Sequence, residues 1–273
     1  YRWPMRLASQ AVYGTHPYAR STIGSETSLA GLDASVLAAA HTAQVMHGHT
    51  VLAVVGDVDP ERTAAQLDAA FASLTYREQA LVHAAPWPQE VRREVDTREK
   101  QQTALALLFP GPSRTDVDRY ATRVLSSIAS GLGGRFFEQL RDAQSLAYTV
   151  SAFPIERSAV GAFAAYIATS PTREEEAREG LLREFARFVE APPSEEEMER
   201  ARRYLLGTQA IAQQSGGHVL AELVDAWLFG EGLGEAADER AQLEAVQAAD
   251  VQRVAAQYFN PQRVGEGVVR GTG

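Results

Sequence analysis

The chain has 273 residues, 45% of them hydrophobic and 22% charged, enough apolar material for a sizeable core and more length than one typical domain needs. With 26 basic against 35 acidic residues the net charge is −9, so no basic stripe can neutralise a phosphate backbone, and nucleic acid and anionic membrane are poor partners. Zero cysteines remove disulfides, thiolate metal sites and cysteine nucleophiles but leave the compartment open, cytoplasmic or periplasmic.

No run approaches the roughly 20 apolar residues of a membrane span, and no charged-then-apolar leader opens the chain, so a soluble protein is expected. Tyr1 enters in mid-pattern. Residues 1 to 14 read as the end of a helix, stopped by Gly14 and the loop His16, Pro17, Tyr18. Asp33 is a predicted N-cap for a helix running to His47 and Gly48. Thr50 to Val55, apolar on both faces, reads as a buried strand. Asp59 and Pro60 then cap an alanine-rich helix over 60 to 74.

Residues 76 to 100, with His83, Pro86, Pro88 and a charge run from Arg92 to Lys100, read as an inter-domain linker with a strand near its end. Beyond it the pattern predicts a strand at Ala104 to Phe109 and a helix from Asp116 to Ser130. Glycines 131 to 134 break that helix, and a short helix from Arg135 to Asp142 follows. Strands at Ala147 to Phe153 and Val160 to Ala168 are expected to form a hairpin. Capping boxes at Thr172 with Glu175 and Ser194 with Glu197 each open a long helix. A last helix begins near Asp250, before a strand at Val264 to Val269.

The helix and strand ending at Gly56 recur, at an offset of 215, in those ending at Gly271. A shared fold for two domains then implies that the first lacks roughly 115 residues. The predicted organisation is the latter half of one domain over 1 to 75, a linker over 76 to 100, and a complete domain over 101 to 273. The class is α+β, mainly antiparallel sheets with helices packed on one face.

The stretch from Gly131 to Phe153, with its glycine-rich turn, Arg141 and then Tyr148, resembles the C-terminal-domain motif of the pitrilysin/insulinase family of zinc metallopeptidases, which includes mitochondrial processing peptidase. Supporting similarities are His16 to Arg20 with Ile23 and Gly24, Val54 to Val58, Glu197 to Ala201, and Tyr258 to Pro261. Two positions depart from the pattern. Ser145 and Ala19 stand where many members have glycine.

The resemblance implies two similar domains facing each other, with zinc held in the first by a His-x-x-Glu-His helix and a distant glutamate. That motif is not among the six histidines, His16, His41, His47, His49, His83 and His218. It therefore implies zinc in the intact enzyme but none bound by this chain. Arg141 and Tyr148 are the implied catalytic pair, and Gly133 and Gly134 join them as substrate-binding residues. Peptide is the implied substrate, with a homo-oligomer or a partner subunit carrying the zinc motif as the implied assembly. A non-catalytic partner or scaffold half of such a complex is the alternative.

Chemistry supports the pair independently. Peptide hydrolysis builds negative charge on the scissile carbonyl oxygen, and a guanidinium or phenol beside it stabilises that charge. As residues alone, Arg141 is an ordinary solvated helix residue and Tyr148 a strand aromatic; the surrounding motif favours the functional reading. Other constellations carry less. His41, His47 and His49 read as solvated or capping. The glycines have neither the spacing nor the preceding strand of a phosphate loop, and allow a tight turn and close approach of a substrate backbone. His16 and Tyr18 read as a packed loop anchor. The acidic runs 174 to 176 and 195 to 197 read as solvated helix starts.

Overall fold

The computed structural model describes residues 2–48, 50–75, 83–131, 133–147, 149–230 and 232–273. In chain order the helices are α1 (Arg2–Tyr13), α2 (Glu26–Ala30), α3 (Ala34–His41), α4 (Pro60–Ala70), α5 (Asp118–Ser130), α6 (Glu174–Glu190), α7 (Glu195–Ala212), α8 (Gly216–Phe229), α9 (Gly234–Ala245) and α10 (Ala248–Tyr258). The strands are β1 (Arg92–Arg98), β2 (Thr103–Gly111), β3 (Thr149–Ile155), β4 (Gly161–Thr169) and β5 (Gly265–Gly271). No described helix is long and apolar enough to cross a membrane.

Contacts gather the chain into two compact units, one of Tyr1–Arg20, Ala84–Gln209 and Ala237–Gly273, the other of Ser21–His83 and Ala210–Ala236. This grouping does not follow chain order. Helix α1 belongs with the strands of the later residues, and the segment from Ala210 belongs with residues 21 to 83.

The larger unit is built on one sheet in the order β1-β5-β2-β4-β3, antiparallel except where β1 runs parallel to β5. Side-chain alternation along β2 decides what each face carries. Leu105, Leu107 and Phe109 point into a core shared with α5, α6 and α10, where Phe109, Phe163, Phe185 and Phe259 pack ring against ring. Ala106 and Leu108 point the other way, with Ala162 and Ala164 of β4, toward Ala8 and Val12 of α1. The predicted helical face is there, and α1 adds a helix on the opposite face.

Small residues explain how α1 lies so close. A Cβ at Gly267 would overlap the Pro4 carbonyl oxygen and the Ala8 nitrogen, and one at Gly265 would overlap Val12. At the edge, β1 is exposed and charge-rich, which discourages pairing with another chain. Trp3 ties α1 to it by donating from Nε1 to Asp96 at 2.7 Å.

Several predicted details hold in the smaller unit. Asp33 caps α3 through the Ser35 and Val36 amides, and Asp59 caps α4 ahead of Pro60. The predicted strand at Thr50 to Val55 does not form: 50 to 55 has no ladder partner among the described residues, and Leu52, Val54 and Val55 are exposed. An apolar run becomes a strand only where neighbouring strands take its backbone groups.

Replacing Gly267 by Ala is expected to lower stability by about 1–3 kcal/mol through overpacking against α1. Gly207, exposed inside α7 with open space around it, is the control. There Gly→Ala should raise stability by about 0.5–1 kcal/mol. Urea midpoints of the two variants moving in the same direction would refute the packing argument.

Candidate functional site

The glycine-rich turn after α5 is forced by its own backbone. Gly134 donates to the Gly131 carbonyl at 2.6 Å, and a Cβ on Gly134 would stand 2.8 Å from the carbonyl oxygens of Gly131 and Ile128. Gly133 sits at φ +77, where side chains are strained. The turn then enters the predicted short helix, whose Phe137–Ala143 portion is wound as a π-helical turn; such turns are frequent at functional sites.

Arg141 rises from this turn. Its guanidinium stacks 4.0 Å over the Phe137 ring, its Nε lies 3.9 Å from Asp142 Oδ1, and about a third of the side chain is exposed. Gly133, Gly134 and Arg141 thus belong to one continuous segment. Tyr148 lies outside the described residues.

Three devices hold that segment. Leu140 and Leu146 are buried against Gly180 of α6, where a Cβ would come within 2.8 Å of Leu140. Arg135 pairs with both Glu197 oxygens, at 2.6 and 2.9 Å, while stacking 4.3 Å over Phe188. Glu197 also accepts from the Ser194 amide at 2.8 Å, forming the predicted capping box, and the guanidinium beside it pulls its pKa down to about 2. Finally, Arg173 donates to the carbonyls of Ser145 (2.8 Å) and Gln144 (3.1 Å) and is itself held by Glu176.

Ser145 holds a backbone conformation that suits the glycine of the resembled pattern. It is the one described non-glycine residue with positive φ, +47, the left-handed region where glycine is favoured. The strain sits three residues before Tyr148, and Arg173 holds the carbonyl there.

Two readings are corrected. The capping box at Thr172 with Glu175 is not made, because Pro171–Arg173 forms a 3-10 turn and α6 starts at Glu174 without a side-chain cap. Glu174 is buried rather than solvated, bonded to Arg93 at 2.6 Å and to Arg270 at 2.6 and 2.7 Å. The Arg270 guanidinium, first among these, keeps its carboxyl below the usual range. His47 bonds through Nδ1 to the Thr75 hydroxyl at 2.6 Å, and His49 lies outside the described residues. His16 caps its own turn, and Tyr18 anchors the loop by accepting from the Ala159 amide at 3.1 Å with Arg157 over its ring.

Comparison with known proteins places this geometry. Residues 31–205 match the family described as the Peptidase M16 inactive domain. The chain belongs to that family. An uncharacterized zinc protease of Streptomyces coelicolor is 25% identical over 91% of this chain, and one of Mycobacterium tuberculosis is 30% identical over 60% of it. This M16 chain spans 56% and 38% of their respective lengths. A peptidase M16 inactive domain from Pseudomonas fluorescens shares the fold, with TM-score 0.87 and 23% identity over 99% of this chain and 66% of that one. Among the described residues of the M16 chain, no three histidine, aspartate or glutamate side chains gather to hold a metal ion.

Replacing Ser145 by Gly is expected to raise stability by about 0.5–1 kcal/mol in urea unfolding, by relieving the left-handed strain. Unchanged stability would mean that the strain is not real. Glu197 gives a pH signature. Its folded pKa is depressed, so its stabilisation is present above the unfolded carboxylate value and is lost as pH falls from about 4.5 toward about 2. The urea midpoint gap between the wild type and Glu197→Gln should therefore be full at pH 7 and shrink across that window; a gap independent of pH would contradict the pairing with Arg135.

Proposed function

We propose that this chain is the substrate-binding part of a zinc-dependent endopeptidase, with zinc held by a segment or partner other than these residues. The observation that carries the reading is Arg141, a partly exposed guanidinium on a glycine-started turn braced by α6, Arg135 and Arg173. A planar guanidinium keeps its charge at every working pH and offers a rigid fork of donors. Held in place beforehand, such a fork stabilises the oxyanion of a scissile carbonyl without reorganising during the reaction. Tyr148 would add a directional O–H donor to the same oxygen or to a neighbouring carbonyl. Gly133 and Gly134 would let the substrate backbone approach the turn closely.

The match of residues 31–205 to the Peptidase M16 inactive domain favours a second reading, in which the chain is a non-catalytic partner half that scaffolds a peptidase complex.

Peptide cleavage by the intact peptidase, with and without chelator, separates the two. Under the substrate-binding reading Arg141→Ala lowers kcat/KM by about 10²–10³-fold, with an unchanged melting temperature. Tyr148→Phe weakens it in the same direction. Chelator-sensitive cleavage that is indifferent to Arg141 would establish the scaffold reading instead.

A further inference from the structure

Residues 140 to 146 form a closed loop, and Arg141 lies inside it. The Leu146 amide donates to the Leu140 carbonyl at 2.8 Å, and both leucines are buried. They seat over Gly180 of α6, where a Cβ would stand 2.8 Å from Leu140 and 3.3 Å from Leu146. With both ends pinned, a change in one backbone dihedral has to be absorbed by the residues between them. Arg141 is one of those residues.

The dihedral under strain is that of Ser145. At φ +47 it occupies the left-handed region, which glycine visits routinely and other residues visit seldom. Arg173 opposes its relaxation. One nitrogen of the guanidinium donates to the Ser145 carbonyl at 2.8 Å and another to the Gln144 carbonyl at 3.1 Å. On its other side the same guanidinium bonds both oxygens of Glu176, at 2.7 and 2.8 Å. The fork is thus anchored on α6 and grips the loop four residues after Arg141. Its influence on Arg141 runs through the main chain.

The size of that influence depends on which residue stands at 145. A serine released from the clamp takes the left-handed region about one time in ten or less, whereas a glycine takes either sign of φ about as readily. A site's apparent affinity falls with the fraction of molecules in the binding-competent form. Losing Arg173 therefore costs much with serine at 145 and little with glycine.

We propose that Arg173 is a positioning residue for the peptide-binding role of Arg141, and that it is needed because residue 145 is a serine. The proposal rests on the substrate-binding reading of Arg141. It is tested by a double-mutant cycle on the full chain. The probe is fluorescein-labelled β-casein, an unfolded polypeptide, with binding followed by anisotropy and a melting temperature taken for each variant. Arg173→Ala should weaken binding about tenfold, or ~1.4 kcal/mol. In the Ser145→Gly background the same change should weaken it no more than about twofold. An arginine that merely supports the fold would lower the melting temperature and weaken binding by one factor in both backgrounds. Glu176→Ala, at an exposed position, releases the same guanidinium and should show the same dependence on residue 145; it serves if Arg173→Ala folds poorly. Arg141→Ala should weaken binding about tenfold or more in either background. No loss on releasing Arg173, or an equal loss in both backgrounds, would overturn the positioning role and leave the Arg141 reading standing. Binding indifferent to Arg141, or no binding of β-casein, would overturn both.

Discussion

The first turns of α6 tie the sheet to the candidate site. Arg173 takes the carbonyls of Gln144 and Ser145. One residue later, Glu174 clamps β1 through Arg93 and β5 through Arg270. Arg178 reaches Glu266, fully buried on β5, at 2.7 Å, and Gly180 gives Leu140 and Leu146 room to seat. Within about two turns of helix, four residues fix both the far edge of the sheet and the segment between Arg141 and Tyr148. A buried carboxylate such as Glu266 is costly unless paired, so these contacts are coupled: Arg178 and Arg93 both face it, and losing both would leave a desolvated charge under the helix.

That coupling gives the positive φ of Ser145 a meaning. A left-handed serine is tolerated only where its surroundings determine it more strongly than its own preference does. Here the determinants are an arginine on the carbonyls, buried leucines on both sides of the loop, and the Leu146 amide donating to the Leu140 carbonyl at 2.8 Å. The result is a short, over-determined connection from the turn that bears Arg141 to the strand that begins at Thr149. Preorganisation of this kind is what an electrostatic grip on a peptide carbonyl requires.

How much of this was legible depended on how far apart the partners lie in sequence. The capping box of Ser194 with Glu197 and the caps at Asp33 and Asp59 are satisfied within three residues, and each stands as read. Thr172 with Glu175 has the same spacing, but Pro171 opens a 3-10 turn that moves the helix start to Glu174. The burial of Glu174 could not be read at all, since Arg93 and Arg270 lie 81 and 96 residues away. Thr50 to Val55 shows the opposite error. Its composition is that of a buried strand, yet strand identity depends on a neighbouring ladder that no local pattern supplies. The glycines of β5 carried a signal that went unread: alternation of Gly265 and Gly267 with Glu266 and Val268 marks one face where something must come very close.

The basic residues themselves support the same picture. Twenty-five of the 26 are arginine, Lys100 being the exception. Arg135, Arg123 and Arg270 each address both oxygens of one carboxylate, and Arg173 spans two carbonyls and a carboxylate. A lysine ammonium could supply the charge but not the planar fork, and would leave one acceptor of each pair unmet. Arginine-to-lysine changes at these positions are therefore not conservative for the fold. Under the substrate-binding role proposed above, the same fork on Arg141 would suit the π-helical turn to the carbonyl oxygens of an extended peptide, so the chemistry that braces the domain would also be the chemistry offered to a substrate.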